Sequence, residues 1–319
     1  MTWRTILSKI LLIIPVLFLV SLGTFFLVSL VPGSPEANVL GPNASAQDYA
    51  RVRHELGFDQ PVLQRYWHWL GQTLQGHLGK NLVPPIESVT TLLARAFPVN
   101  LELAILAILM AFALAIPAAV WSAYRQGGRF DRIVSATTFG VISVPSFLAG
   151  VLLIIVFAVN WKVFPLGQWA RPTEKGWLTN LHHAFLPALT LALLEAAVFA
   201  RLLRSDMIST LQEDYILAAR AKGMPTAHIL VKEALRPSSF SLITLAGLSI
   251  GRLIGGTIIV EQVFSLPGLG SVVINAAQKN DYTVVQGAVL LIAVVYVIVN
   301  LLVDLSYHYL DPRLRRGRV

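Results

Sequence analysis

Six long runs of apolar residues decide what this chain can fold into: Ile10–Val31, Val99–Trp121, Ile133–Val159, Ala184–Ala200, Phe240–Val260 and Val284–Val303. Each is about 17 to 27 residues long. At ~1.5 Å of rise per residue, each reaches or nearly reaches across a ~30 Å hydrocarbon core. Of the 319 residues, 55% are hydrophobic and only 13% are charged, where a soluble domain carries roughly 25%. The expected fold class is an all-α polytopic membrane protein with six transmembrane helices. The first run is too long for the apolar region of a cleaved signal peptide, so it reads as a retained signal anchor.

Charge sets the orientation. With the N-terminus (Arg4, Lys9) inside, the remaining inside segments carry Arg125, Arg129, Arg132, then Arg201, Arg204, Arg220, Lys222, Lys232, Arg236, then Arg313, Arg315, Arg316 and Arg318. That places about fifteen basic residues inside against about four (Lys162, Arg171, Lys175, Lys279) in the short outside loops. Both termini are therefore cytoplasmic. The same count explains the net charge of +8 as loop topology, with no nucleic-acid partner. Cysteine is absent, which excludes disulfides and thiolate metal sites.

The chain divides into an N-terminal tail with the first helix (1–31), a long external insert (32–98), a core of helices two to six (99–305) with a cytoplasmic loop at 202–238, and a basic cytoplasmic tail (306–319). In the insert, Ser45 three residues before Asp48 is a capping-box-like helix start. Val62, Tyr66, Leu70 and Leu74 are expected along one helical face, and Trp67 and Trp69 suit the lipid headgroup level. Two roles stay open for the insert, reception of an external partner or a cap over the helices. Proline punctuation in "GVISVPSF" and "SLPGLG" falls near or inside the spans, and broken helices are tolerated at membrane depth where they line a cavity.

Several patterns with chemical associations fail on context. "GHLGKN" (Gly76 to Asn81) lacks both the glycine spacing and the hydroxyl residue of a phosphate-binding loop. "GLSIG" (Gly247 to Gly251) matches a nucleophile elbow, but around Ser249 it lies in a long apolar helix, where small residues serve close packing. His182-His183 has no third ligand and no i, i+4 spacing for a metal. No catalytic, cofactor-binding or metal-ligating residue is expected. Two charges do stand inside apolar runs, Glu195 and Arg252. Such groups face a bundle interior or water and usually have partners. The pair lines a polar pathway, forms a structural ion pair, or includes a side chain that snorkels toward the membrane surface.

The loop "DYILAARAKGMPTAHILVKEALRP" (Asp214 to Pro237) interrupts this apolar chain. Gly223 suits a helix C-terminal cap, and Pro225 begins a second short helix bearing Ile229, Leu230, Ala234 and Leu235. The result is a helix–Gly–helix elbow on the cytoplasmic side, a form that docks into a partner's groove.

Here the sequence resembles the permease subunits of binding-protein-dependent ABC importers, the dipeptide/oligopeptide/nickel class, with the type I importer permease fold. "LGFDQPVLQRYWHWLGQTLQGHLG", "FPVNLELA", "VPSFLAGVLL", "LPALTLAL", "GGTIIVEQVFSLPGLG", "DYTVVQGAVLL" and "NLLVDLSYHYLDPRLR" read as this class in that order. "DYILAARAKG" looks like its "EAA" coupling loop. Leu217 stands where the general motif has glutamate, and Pro237 comes earlier than usual. The resemblance implies that Asp214, Tyr215, Ala218, Ala219, Arg220, Lys222, Gly223 and Pro225 dock onto a separate ATPase, with Glu195 and Arg252 as candidate pathway residues. It also implies a second permease, related or identical, two ATP-binding subunits that carry ATP-Mg, an external solute-binding protein, and a bacterial or archaeal cytoplasmic membrane. Peptides are the expected solute. Two rival readings are an ion-coupled secondary transporter using Glu195 and an intramembrane serine hydrolase using Ser249.

Overall fold

Proline and glycine divide the apolar runs into helices, and the computed structural model shows where. It describes residues 3–30, 45, 47, 49, 50, 54, 59–83 and 86–310. The helices are α1 (Trp3–Leu30), α2 (Val62–Leu74), α3 (Val89–Tyr124), α4 (Arg129–Ser143), α5 (Ser146–Leu153, continued by a π-helical turn Ile154–Asn160), α6 (Pro172–Lys175), α7 (Trp177–Thr210) and α8 (Asp214–Ala221). They continue as α9 (Thr226–Gly256, with a π-helical segment Ile229–Ala234), α10 (Ile258–Phe264), α11 (Leu269–Gln278) and α12 (Tyr282–Leu310). Among the described residues there is one isolated β-bridge, Lys80 to Ser88.

Helices α3, α7, α9 and the stretch Tyr282–Leu305 of α12 are each long and apolar enough to cross a bilayer. The 28-residue α1 and the bent pair α4–α5 complete six spans. The third span is not the continuous run expected at 133–159: α4 and α5 meet at 104°. Its cause is local. Val144 precedes Pro145 and adopts an extended conformation (φ −89, ψ 125), as residues before proline do. The fifth span likewise ends earlier than the expected Val260. Helix α9 stops at Gly256, and α10 is a separate short helix; at ~1.5 Å per residue neither α10 nor α11 can span alone.

The chain forms two compact units, Met1–Asn100 with Pro267–Ile298, and Leu101–Leu266 with Val299–Val319. In the first, α2 lies against α1. Tyr66 is fully buried, its hydroxyl 2.9 Å from Ser21 Oγ and its ring 5.4 Å from that of Phe25. This supports the capping role for the insert. The expected face is only partly realised: Tyr66 and Leu70 turn inward with Trp69, whereas Val62 and Leu74 are exposed. Trp67 is exposed as well. Asp48 lies outside the described residues, although the Tyr49 amide does donate to Ser45 O. The tail beyond Leu310 is also outside them. Val89, Leu93, Ala96, Leu269, Ala276, Val284 and Ala288 make the core of this unit. Asn100 Oδ1 accepts the Leu269 amide at 2.8 Å, and Asp281 Oδ2 accepts that of Leu82 at 2.8 Å.

In the second unit, α7 is the axis against which α4, α5, α9 and α10 pack. Ala107, Ala111, Ala115, Ala119 and Ala123 form a buried stripe on α3, the small-residue spacing that lets helices approach without a hydrophobic driving force. Gly247 packs so close to Val303 that any Cβ there would collide with its side chain. Loop 161–171 closes over the end of α10, where a Cβ at Gly167 would strike the Phe264 carbonyl. The Gln168 amide donates to that same oxygen at 3.0 Å. The two histidines hold this loop through its backbone. His182 Nε2 lies 2.8 Å from Val163 O, and His183 Nδ1 lies 3.1 Å from Gln168 O.

Candidate functional site

The elbow is built as a helix stop followed by a helix start. After α8, Gly223 takes a left-handed conformation (φ 73). Its amide donates to Arg220 O at 2.9 Å, and the Met224 amide donates to Ala219 O at 3.2 Å. These paired bonds make a Schellman motif, which satisfies carbonyls that the helix end would otherwise orphan. Pro225 follows with φ −65 and ψ 142, just before the first helical residue Thr226. The proline is thus the flanking residue, not the opening residue of the helix. The second arm is also not a separate short helix: it runs on through the fifth span to Gly256.

Pro237 lies inside that arm, not at its end. Proline has no N–H, so the carbonyl four residues earlier, Glu233 O, loses its usual donor. The helix widens to a π-helical segment just before it, Ile229–Ala234, and the Tyr215 hydroxyl donates to Glu233 O at 3.3 Å. Tyr215 therefore ties the first arm to the second.

The two faces of α8 differ. Ile216 is fully buried, and Ala219 is 7% exposed, so both side chains face the chain's own body. Asp214, Tyr215, Leu217, Ala218, Arg220 and Lys222 are exposed. Asp214 at the start of α8, with Arg220 and Lys222 at its end, complements the helix dipole. Leu217, 54% exposed, is the large apolar contact on this face. Beside the elbow a cavity of about 650 Å³ is lined by Tyr124, Arg125, Gln212, Arg220, Met224 and Ile229.

A clamp not foreseen from the sequence holds the neighbouring loop 125–128. Arg204 on α7 grips Asp131 on α4 with two bonds, Nε to Oδ1 at 2.6 Å and Nη2 to Oδ2 at 2.8 Å. Ser122 Oγ also donates to Oδ1, and the Gly127 amide donates to Oδ2 at 2.8 Å. Asp131 is 4% exposed and fully supplied with charge-assisted bonds. In the sequence Asp131 is a lone acid among Arg125, Arg129 and Arg132, and nothing there pairs it with the distant Arg204.

Deeper in the same unit, Glu195 on α7 and Arg252 on α9 meet, as charges in an apolar span must if each is to avoid a cost of ~2.5–3.5 kcal/mol at the bilayer centre. Arg252 Nη2 lies 2.8 Å from Glu195 Oε1 and 3.0 Å from Oε2. Ser249 Oγ donates to Oε2 at 2.7 Å and accepts from Arg252 Nη2 at 3.1 Å. Ser249 is thus the third member of an ion pair. Its hydroxyl points at a carboxylate already neutralised by a guanidinium, which is a poor setting for a nucleophile.

Comparison with known proteins agrees with this architecture. The family described as "Binding-protein-dependent transport system inner membrane component" matches residues 115–316, and its N-terminal companion matches residues 2–104. The glutathione transport system permease protein GsiC of Escherichia coli O6:H1 is 35% identical over 318 residues, covering 97% of this chain and 98% of the relative. GsiC of Salmonella choleraesuis is 36% identical over 313 residues, with the same coverage of both chains. A chain from the inward-facing MetNI methionine ABC transporter shares the fold, with a TM-score of 0.57 at 19% identity over 69% of this chain and 96% of that one. The chain therefore belongs to the binding-protein-dependent transport family, as a permease subunit of an ABC importer of the dipeptide, oligopeptide and nickel class.

Proposed function

We propose that the chain forms half of a solute path for di- and oligopeptides, delivered by an external binding protein and driven by ATP hydrolysis on separate subunits. The observation that carries this reading is the elbow. It is a capped helix with an exposed face of Leu217, Ala218 and Lys222, continuous beyond Pro225 with a membrane-spanning helix. A surface of that kind converts a push at the cytoplasmic end into a helix movement. Full-length similarity to glutathione permeases supports a peptide solute, since glutathione is itself a tripeptide. In this reading Asp214, Tyr215, Ala218, Ala219, Arg220, Lys222, Gly223 and Pro225 are the docking and shaping residues. A second permease, related or identical, completes the path; two ATP-binding subunits carry ATP-Mg, and the assembly resides in a bacterial or archaeal cytoplasmic membrane.

The test is purification in mild detergent followed by reconstitution. The expected result is co-purification with a nucleotide-hydrolysing subunit, crosslinks to it from Leu217 and Ala218, and peptide uptake that requires both ATP and the binding protein. Uptake by the isolated chain down an ion gradient would instead establish a secondary transporter.

A further inference from the structure

Among the described residues Arg252 bonds through only one of its three nitrogens. All of its bonds, to Glu195 Oε1, Glu195 Oε2 and Ser249 Oγ, run through Nη2. Among the described residues Nε and Nη1 have no partner. The side chain is 60% exposed, whereas that of Glu195 is 3% exposed. Leu248, Arg252 and Gly256 lie four apart on one exposed face of α9. Lipid is a poor occupant of that face at Arg252. An arginine facing hydrocarbon extends its head toward the membrane surface, but here the head is drawn sideways to a buried carboxylate. The three N–H groups of Nε and Nη1 left in an apolar medium would also be strongly unfavourable. The open side is accordingly suited to water or another polar group and not to lipid.

We infer that Arg252 is a recognition point for the carboxylate of the transported solute, held in place by Glu195 and Ser249 as positioning residues. The inference rests on the permease reading above. Nη2 is the nitrogen common to both carboxylate-matching edges of the guanidinium and is already occupied, so the contact left open is a charge-assisted bond from Nη1 to one oxygen of a peptide's C-terminal carboxylate. Glu195 makes the cluster neutral overall. That suits a transport path, where a site must bind well enough to admit an ion and weakly enough to release it. A lone arginine at this depth would trap a carboxylate; one already paired can pass it on.

The experiment uses the complete transporter in proteoliposomes and compares ATP-driven uptake of labelled trialanine with that of its C-terminal amide. Arg252→Gln alone strands Glu195 without its partner, so the double variant Glu195→Gln/Arg252→Gln is measured alongside it. The expected result is a fall of roughly 10- to 100-fold in the acid-to-amide uptake ratio, the size of a lost charge-assisted pair, with amide uptake retained. Taking the ratio against the unaltered transporter cancels any preference of the capture protein. An unchanged ratio in either variant overturns the inference, as does equal loss of both solutes in an assembled double variant. Uptake of neither peptide by the unaltered transporter overturns the peptide reading itself. Location is checked separately. The chain has no cysteine, so Arg252→Cys carries its single thiol, which an anionic methanethiosulfonate should modify in the membrane. Failure to react from either side places the residue away from water and overturns the inference.

Discussion

Replacing Gly223 with valine tests the elbow where its backbone has least freedom. Gly223 sits at φ 73, a conformation that costs an L-residue roughly 1–2 kcal/mol and is a genuine outlier for a β-branched one. A Cβ at this position meets nothing within 4 Å, so the penalty is one of backbone alone. It acts against the two bonds that close the turn, from the amides of Gly223 and Met224, together worth about 1–3 kcal/mol. Penalty and closure are of similar size, so the valine turn should open for a substantial fraction of the time. The buried residues around it, Ile216, Ile229 and Leu230, keep the rest of the unit folded. In proteoliposomes, ATP hydrolysis by the assembled transporter should persist while peptide uptake per ATP falls several-fold. Asparagine tolerates the left-handed region best among L-residues, so uptake per ATP should follow the order Gly, Asn, Ala, Val. Wild-type coupling in Gly223→Val would refute the reasoning. Equal damage from Asn and Val would shift the cause from backbone conformation to crowding against the partner.

Asp131→Asn should lower the unfolding temperature of the detergent-solubilised protein, corresponding to about 2–3 kcal/mol. This is below the ~3–5 kcal/mol of a fully buried broken pair, because Arg204 keeps 27% of its side-chain surface exposed. Unchanged thermal unfolding would show that the clamp adds no stability. Tyr215→Phe removes the hydroxyl bond to Glu233 O, worth about 0.5–1.5 kcal/mol, and should speed amide hydrogen exchange across 229–236. Unaltered protection there would mean that the two arms are not tied through Tyr215.

The elbow was legible because its turn depends on local chemistry. A glycine that must adopt positive φ and a proline two residues later mark the same place in sequence and in structure. The Glu195–Arg252 pairing was legible for a different reason, since a charge in an apolar span demands a partner. What sequence could not supply was contact between distant segments. Ser249 reads as a small packing residue until α7 is set against α9, and Arg204 reads as a loop charge until it is found gripping Asp131. Pro237 stands earlier than in the family pattern, and only the structure shows the helix running through it, after a π-helical segment at Ile229–Ala234.

From Thr226 to Gly256 the second arm of the elbow is one rod of 31 residues, which at ~1.5 Å per residue is roughly 46 Å long, with Arg252 about 39 Å from its cytoplasmic tip. A tilt of about ten degrees pivoting at that tip would carry the guanidinium roughly 7 Å sideways by rigid geometry alone, more than the span of a single ion pair. Glu195 rides on another helix, α7. Any swing of the rod that α7 does not share would pull the pair apart, and a stroke delivered in the cytosol would then be felt near the far end of the rod as the making and breaking of one salt bridge.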